Sequence, residues 1–382
     1  MVQVLRRLVI PFFFIILLFF SGCNSVPVTQ EIPPDQTVNQ KDSQTFSGEF
    51  TLENISAPEL TDQSSNYITE EFADIQGVIW NPLCFLDNDR FLYLATNLDY
   101  TDPWVYCYNL KTGKADKLYP SEGGFVNLFV QDNDCYSMTD GTALVSIGNN
   151  RVSNKILFKD WKQKHPQYEN CDVIANPRNG KVILLDNNAH ICLLTDLNLE
   201  KTVELPFKGV YSTNWIDDNR IILGAFDNFE NREGSAVITY NVQNEFTRKT
   251  YIGNDKFFIG PKRDSDQYCG FVCLDDYHGP PKTLGVVDYA RNKIIFFDFE
   301  NIADMSFQHH WIITAATEEP IDWEAWGRTT EGTVCLCVYD VATNSYVVRG
   351  KDLPRSAGMI ISPDGRTIVY KTFEKNYINR EK

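Results

Sequence analysis

Five histidines, His165, His190, His278, His309 and His310, are the side chains here best suited to move a proton or hold a metal near neutral pH. Only His309 and His310 stand together, and neighbours on a regular strand point to opposite faces. They share one site only if their segment is a turn, and a turn also accounts for them without any chemistry. His278 lies in YHGPP, whose glycine and prolines read as a protruding loop. Trp323 and Trp326 sit in EEPIDWEAWGR, which is apolar, acidic and not strand-like. Aromatic rings beside carboxylates on a loop can stack on sugar rings and bond their hydroxyls. Packing between strands is the other reading of each tryptophan. Trp323, Trp326, His309, His310 and His278 are thus the ligand-binding candidates.

No catalytic set joins them. Acidic turns at Asp87-Asn88-Asp89, Asp132-Asn133-Asp134 and Asp217-Asp218 do not follow the D-x-[DN]-x-[DN]-G calcium loop, and tight turns favour Asp and Asn anyway. Cys335 and Cys337 share one strand face, but no histidine stands nearby at zinc-ligand spacing and there is no CxxC. Neither a G-x-S-x-G elbow, a Walker A loop nor a dinucleotide fingerprint occurs. The expectation is no catalytic residue, no metal and no cofactor.

The N-terminus carries its own chemistry. Arg6 and Arg7 precede LVIPFFFIILLFF at Leu8–Phe20, too short for a comfortable membrane span but suited to a signal h-region. FSGC follows, and it resembles the lipobox of bacterial lipoproteins: a bulky apolar residue, two small ones, then cysteine. That resemblance implies cleavage between Gly22 and Cys23, diacylglycerol on the Cys23 thiol, and anchoring on the extracytoplasmic side of the cell membrane. An uncleaved anchor and an ordinary secretory signal are the alternatives. Residues 1–22 are then the signal, 23–45 a polar, proline-bearing tether, and 46–382 the folded domain. A tether of about 20 extended residues reaches up to ~60 Å.

Without Arg6 and Arg7, the 35 basic residues fall to 33 against 51 acidic ones. So acidic a chain argues against nucleic acid and against broad contact with anionic headgroups. Ten cysteines suggest a disulfide framework, yet Cys192, Cys273, Cys335 and Cys337 sit inside apolar runs, where cysteine behaves as a small hydrophobe. With Cys23 lipidated nine remain, an odd number. Free thiols throughout, or one or two disulfides, both fit.

The elements that must position these residues are strands. Polar turns before apolar or alternating runs recur at FLDNDRFLYLAT, VQDNDCYSMT, ANPRNGKVILLD, WIDDNRIILGA, RDSDQYCGFVC, SFQHHWIITAA and ISPDGRTIVYK. A second hairpin follows each of the first six, such as AVITYNVQNEFTRKTY. Two hairpins per ~45 residues make the four-stranded unit of a β-propeller blade. The seventh copy is expected to lack its outer hairpin, leaving an edge for N-terminal strands to cover, with Phe46–Leu52 and the 64–80 segment as candidates. Asp227–Gly234 is expected to form a long surface loop. The fold expectation is all-β, a seven-bladed propeller closed by N-terminal strands on the C-terminal blade. Six or eight blades, and a pair of β-sandwiches, are the alternatives.

Ser362–Tyr370, SPDGRTIVY, resembles the blade motif of TolB-like and WD40-like (PD40-type) propellers, with degenerate copies at Asn176-Pro177 and Asp217-Asp218-Asn219. The resemblance implies fold and little else. The expected function is a membrane-anchored binding or scaffold module for an envelope protein or glycan, with a sensory or assembly lipoprotein tied to an envelope complex as a third reading. The alternative is a polysaccharide lyase or hydrolase working at the central pore. Propeller lyases acting on uronate oligomers use pore-side histidine and metal, which makes His309-His310 the first place to look.

Overall fold

A computed structural model describes residues 48–56, 59–71, 79–96, 103–120, 126–131, 134–139, 143–148, 151–157, 159–176, 179–254, 256–263, 267–274, 281–298, 301–317, 321, 332–356, 358–372 and 375–382. Cys23, the signal, the tether, His278, Trp323 and Trp326 lie outside them.

The described strands form seven sheets, spanning 79–120, 126–157, 171–208, 210–253, 257–298, 302–354 and 359–381 in chain order. Each of the first six is an antiparallel meander of four consecutive strands. The hairpins coincide with the repeats because a polar residue at each turn absorbs backbone donors. Asp87 Oδ1 accepts from the amides of Asp89 and Arg90 at 2.9 and 2.8 Å. Asp217 Oδ1 does the same for Asn219 and Arg220, at 2.8 Å each. In the outer hairpins the acceptors are Asn109, Asn241 and Asp340. These are Asx turns, which give Asp and Asn a structural task at these positions.

The SPDG turn is built as its residues dictate. Ser362 Oγ donates to Asp364 Oδ1 at 2.6 Å, and the Gly365 amide donates to the Ser362 carbonyl at 2.9 Å. Gly365 takes φ +71°, and a Cβ there would lie 2.3 Å from the Trp311 indole. Both conformation and space therefore call for glycine.

First strands of neighbouring sheets pack on one another, for example Val210–Trp215 on Phe257–Arg263 and Met359–Ile361 on Ile79–Phe85. The core lies between the sheets. Ile222, Val237, Phe258, Phe271, Val287 and Phe296 join the fourth and fifth; Phe91, Tyr93, Ile360 and Val369 join the first and last. Each fully buried aromatic contributes about 1.5–3 kcal/mol of transfer free energy. The approach is close enough that a Cβ on Gly270 would sit 2.3 Å from the Phe307 ring.

Three expectations need correcting. The last sheet has a third strand of its own, Asn376–Glu381, so it lacks one strand and not a hairpin. Tyr67–Glu71 pairs antiparallel with that strand, whereas the strand near Phe46–Leu52 is Thr51–Ser56 and pairs parallel with Lys293–Asp298 of the fifth sheet. An apolar outer strand there, KIIFFD, offers the better partner. Between them Thr61–Asp62 pairs parallel with Val347–Val348 of the sixth sheet. Finally, the 227–234 stretch is no loop insertion. Arg220–Asn228 and Glu233–Asn241 run nine residues each, a lengthened hairpin tightened by the Phe229-to-Arg232 turn.

Candidate functional site

His309 and His310 form the two-residue turn between Ile302–Gln308 and Trp311–Ala316. His309 has φ +58°, so the segment is not a regular strand and alternation does not separate the two rings. His310 Nε2 lies 3.8 Å from Asp340 Oδ1, and its ring is 4.3 Å from that of Trp311. Asp340 in turn caps the next hairpin through the Ala342 amide and the Thr343 hydroxyl. The histidine pair thus stands on a built turn, and among the described residues no group of three His, Cys, Asp or Glu has metal-holding geometry.

Turns joining first to second strands are tied to one another across sheets. The Asp364 amide donates to Asn88 Oδ1 at 3.1 Å, linking the last sheet to the first. The amide groups of Asn176 and Asn179 donate to the carbonyls of Asp217 and Asp218, linking the third to the fourth. Gln308 accepts from the Ile361 amide at 2.9 Å and reaches the Leu83 carbonyl at 3.5 Å. No sequence motif marks Gln308, because its role exists only once three sheets meet.

At the opposite end of the last sheet stands a charged group that sequence reasoning missed. Lys371 is 5% exposed, and burial pulls its ammonium down to about 8 against the attraction of Asp304. Ser356 Oγ donates to Asp304 Oδ2 at 3.0 Å, and Arg355 also acts on that carboxylate. Lys371 closes an alternating strand, where it reads as a solvated end; only the packing of the sixth and first sheets beside it buries it.

A cavity of about 130 Å³ opens on the turn side between the fourth and fifth sheets, lined by residues that include Phe50, Arg220, Asn241, Phe246, Arg248 and Tyr289. The Arg248 guanidinium stacks between the Phe50 and Phe246 rings, at 5.6 and 5.5 Å, and Arg220 lies 5.2 Å from Tyr289. Two guanidiniums over aromatic faces stand out on so acidic a chain.

Cys84, Cys107, Cys171, Cys192, Cys269, Cys273, Cys335 and Cys337 are thiols outside any disulfide. Burial pushes the Cys107 and Cys337 thiols up to about 12, so neither is a nucleophile near neutrality.

No family model and no curated protein matches the chain. Solved structures do. An oligogalacturonate lyase from Vibrio parahaemolyticus aligns at TM-score 0.52 with 12% identity, over 82% of this chain and 96% of that one. An oligogalacturonate lyase in complex with manganese aligns at TM-score 0.51 with 10% identity, over 85% and 99%. The C-terminal WD40 domain of Sif2 aligns at TM-score 0.48 with 12% identity, over 85% and 99%. At these identities the lyase likeness speaks for the fold alone: a nearly all-β chain of four-stranded sheets, folded as a β-propeller.

Proposed function

We propose that this chain is a lipoprotein anchored through Cys23 on the extracytoplasmic side of the cell membrane. Its domain is a seven-bladed propeller, completed when Tyr67–Glu71 fills the last blade, and it serves as a binding module for an envelope protein or glycan. The observation that carries this reading is the cross-linked turn face. Hydrogen bonds accepted by Asn88 and Gln308 and donated by Asn176 and Asn179 join blade to blade, so a partner meets a surface already ordered and little ordering cost falls on binding. His310 and Trp311 stand on that face.

Two experiments test it. Cys23→Ala releases the protein from membranes; retention counts against lipidation. A photo-crosslinking amino acid in place of His310 captures a discrete envelope partner in cells, while the same group at Val203, 62% exposed on an outer strand, captures none. Equal labelling from both positions removes the turn face as the binding surface.

A second reading has its own observation. Lys371 is a buried cation beside Asp304 where the sixth, seventh and first sheets meet, a polar pair of the kind that enzyme sites hold. The fold neighbours include lyases acting on oligogalacturonate. A polysaccharide-active enzyme with its site at the pore is therefore tested by turnover of uronate oligomers. Turnover by the wild type that is lost in Lys371→Met at a pH where both remain folded supports it; no turnover with or without divalent cations removes it.

A further inference from the structure

We propose that the cavity between the fourth and fifth sheets takes a single carboxylate of an acidic peptide, either a Glu or Asp side chain or a chain terminus. The proposal rests on the protein-partner arm of the binding reading and names the chemistry of one contact.

The argument starts from unspent donors. Asn241 Oδ1 already accepts the amides of Gln243 and Asn244, and Asn244 Oδ1 accepts that of Phe246. Both residues line the cavity, and the capacity left on each side chain is its NH2 group. Arg248 gives Nη1 to Asn292 Oδ1, an amide oxygen and not a carboxylate. Arg220 gives Nε to Asp217, which also holds the turn amides of Asn219 and Arg220. Among the described residues no Asp or Glu lines the cavity itself, although Asp217 pairs with Arg220 beside it. Its walls are rich in donors, with the amide oxygens spent on the turn, and such a lining selects an acceptor-only group with negative charge.

Size and stacking narrow the class. About 130 Å³ holds one side chain or one small ring. A sugar ring would want an open aromatic face, but Arg248 lies over Phe50 and Phe246, and Arg220 over Tyr289. Stacking fixes a guanidinium plane and leaves its edge for in-plane bonds, the geometry a carboxylate meets bidentately. Net charge points the same way. At −16, the chain repels a polyanionic glycan along its length, whereas a single carboxylate meets Arg248, whose Nη1 bonds only an amide oxygen, and Arg220, already shared with Asp217.

The cavity is also positioned by the N-terminal segment. The Phe50 amide donates to Thr250 Oγ1 at 2.7 Å, and Asn292 Nδ2 donates to the Glu49 carbonyl at 3.0 Å. Asn292 therefore orients Arg248 with its oxygen and the leading strand with its nitrogen.

The test uses the exported chain without its lipid anchor and NMR of the arginine Nε–Hε signals. The probes are Ac-Gly-Gly-Glu-Gly-Gly-NH2, its Gln counterpart, Ac-pentaglycine with a free carboxyl end, glucuronate and inorganic phosphate. The Glu peptide or the free carboxyl end shifts the Arg220 and Arg248 signals saturably, and the Gln peptide does not. Arg248→Gln weakens binding by about tenfold or more. Because that change also removes a stacked ring pair, Asn244→Asp is the cleaner variant. It keeps the acceptor for the Phe246 amide, leaves the melting temperature unchanged, and abolishes binding by placing a carboxylate at the rim. Failure of both carboxylate peptides overturns the proposal, as does binding by glucuronate or phosphate that matches or exceeds theirs. Neither result depends on membrane release or cross-linking, so the site can fail while the wider reading stands, and the reverse.

Discussion

The fifth and sixth sheets carry an extra strand on their outer edges, from one continuous N-terminal stretch, and the seventh draws its own outermost strand from the same source. On the first, third and fourth sheets no further strand pairs with the outer edge among the described residues. The difference follows from what those outer strands are made of. Bare ones read KADKLYP, VELPFK and TRKTYIG, with charges and prolines that discourage another strand from adding. The fifth sheet's outer strand reads KIIFFD, and the sixth is met at Val347–Val348. The sixth sheet's outer strand also carries Arg349, Lys351 and Asp352, and the added strand meets only its apolar Val347–Val348, so cover falls on apolar stretches. The N-terminal stretch is thus a belt over those edges.

The strongest way to break this comparison is to remove the belt. Deleting residues 48–66 uncovers KIIFFD and Val347–Val348 and takes Phe50 out of the core. The expected outcome is loss of the monomer to aggregation, read by size-exclusion chromatography. A matched change on a bare edge, Val203→Lys, shifts stability by no more than about 0.5 kcal/mol. A deletion product that stays monomeric and melts like the parent would mean the edges need no cover.

Next in size is the seam where the belt ends. Arg349 is 5% exposed, its Nε and Nη1 have no hydrogen-bond partner among the described residues, and Tyr67 of the belt lies over it at 4.6 Å. Burial weighs against its charge. Tyr67→Ala strips that cover and should cost about 2 kcal/mol in denaturant unfolding, since a desolvated cation loses its aromatic face. Arg349→Met, similar in volume and apolar, should be neutral or stabilising. If both variants lose stability equally, the cation does more at this seam than endure burial.

Much of the fold was legible because it is written locally. Asp87, Asp217, Asn241 and SPDG mark turns whose bonds close within a few residues. What is not local could not be read. The parallel pairing of Thr51–Ser56 with Lys293–Asp298 spans most of the chain, and nothing in FSGEFTL names its partner. The candidate sites divide in the same way. His309-His310 announces itself as a motif, and the structure makes it a turn. Arg220, Arg248 and Lys371 look like ordinary strand cations; their settings arise only from sheet packing.

Lys371 gives a pH-dependent handle on the same seam. Its folded value of about 8 lies below the ordinary 10.5, so between those values the unfolded chain holds more protons. Stability must then rise with pH across that window, by up to about 3 kcal/mol for this group. Buried thiols and tyrosines work the other way above pH 9, because burial raises their values and keeps them protonated in the fold. The difference between wild type and Lys371→Met isolates the lysine. Wild type should gain on the variant between pH 7 and 10 in urea melts, and a flat difference would mean that Lys371 is solvated.

The smallest effect tests a turn-face contact joining the first and last sheets. Asn88 Oδ1 accepts the Asp364 amide at an exposed site, 276 residues away in sequence. A single neutral hydrogen bond open to water is worth about 0.5–1.5 kcal/mol, and water replaces it when the side chain is cut. Asn88→Ala should therefore cost about 0.5 kcal/mol globally while speeding hydrogen exchange at the Asp364 amide. Phe91, Tyr93, Ile360 and Val369 hold the two sheets together beneath that bond, and their burial is untouched. A global loss of several kcal/mol would move the weight of the seam from this apolar cluster to the turn face. The belt and the core would then rank behind the turns in holding the domain closed.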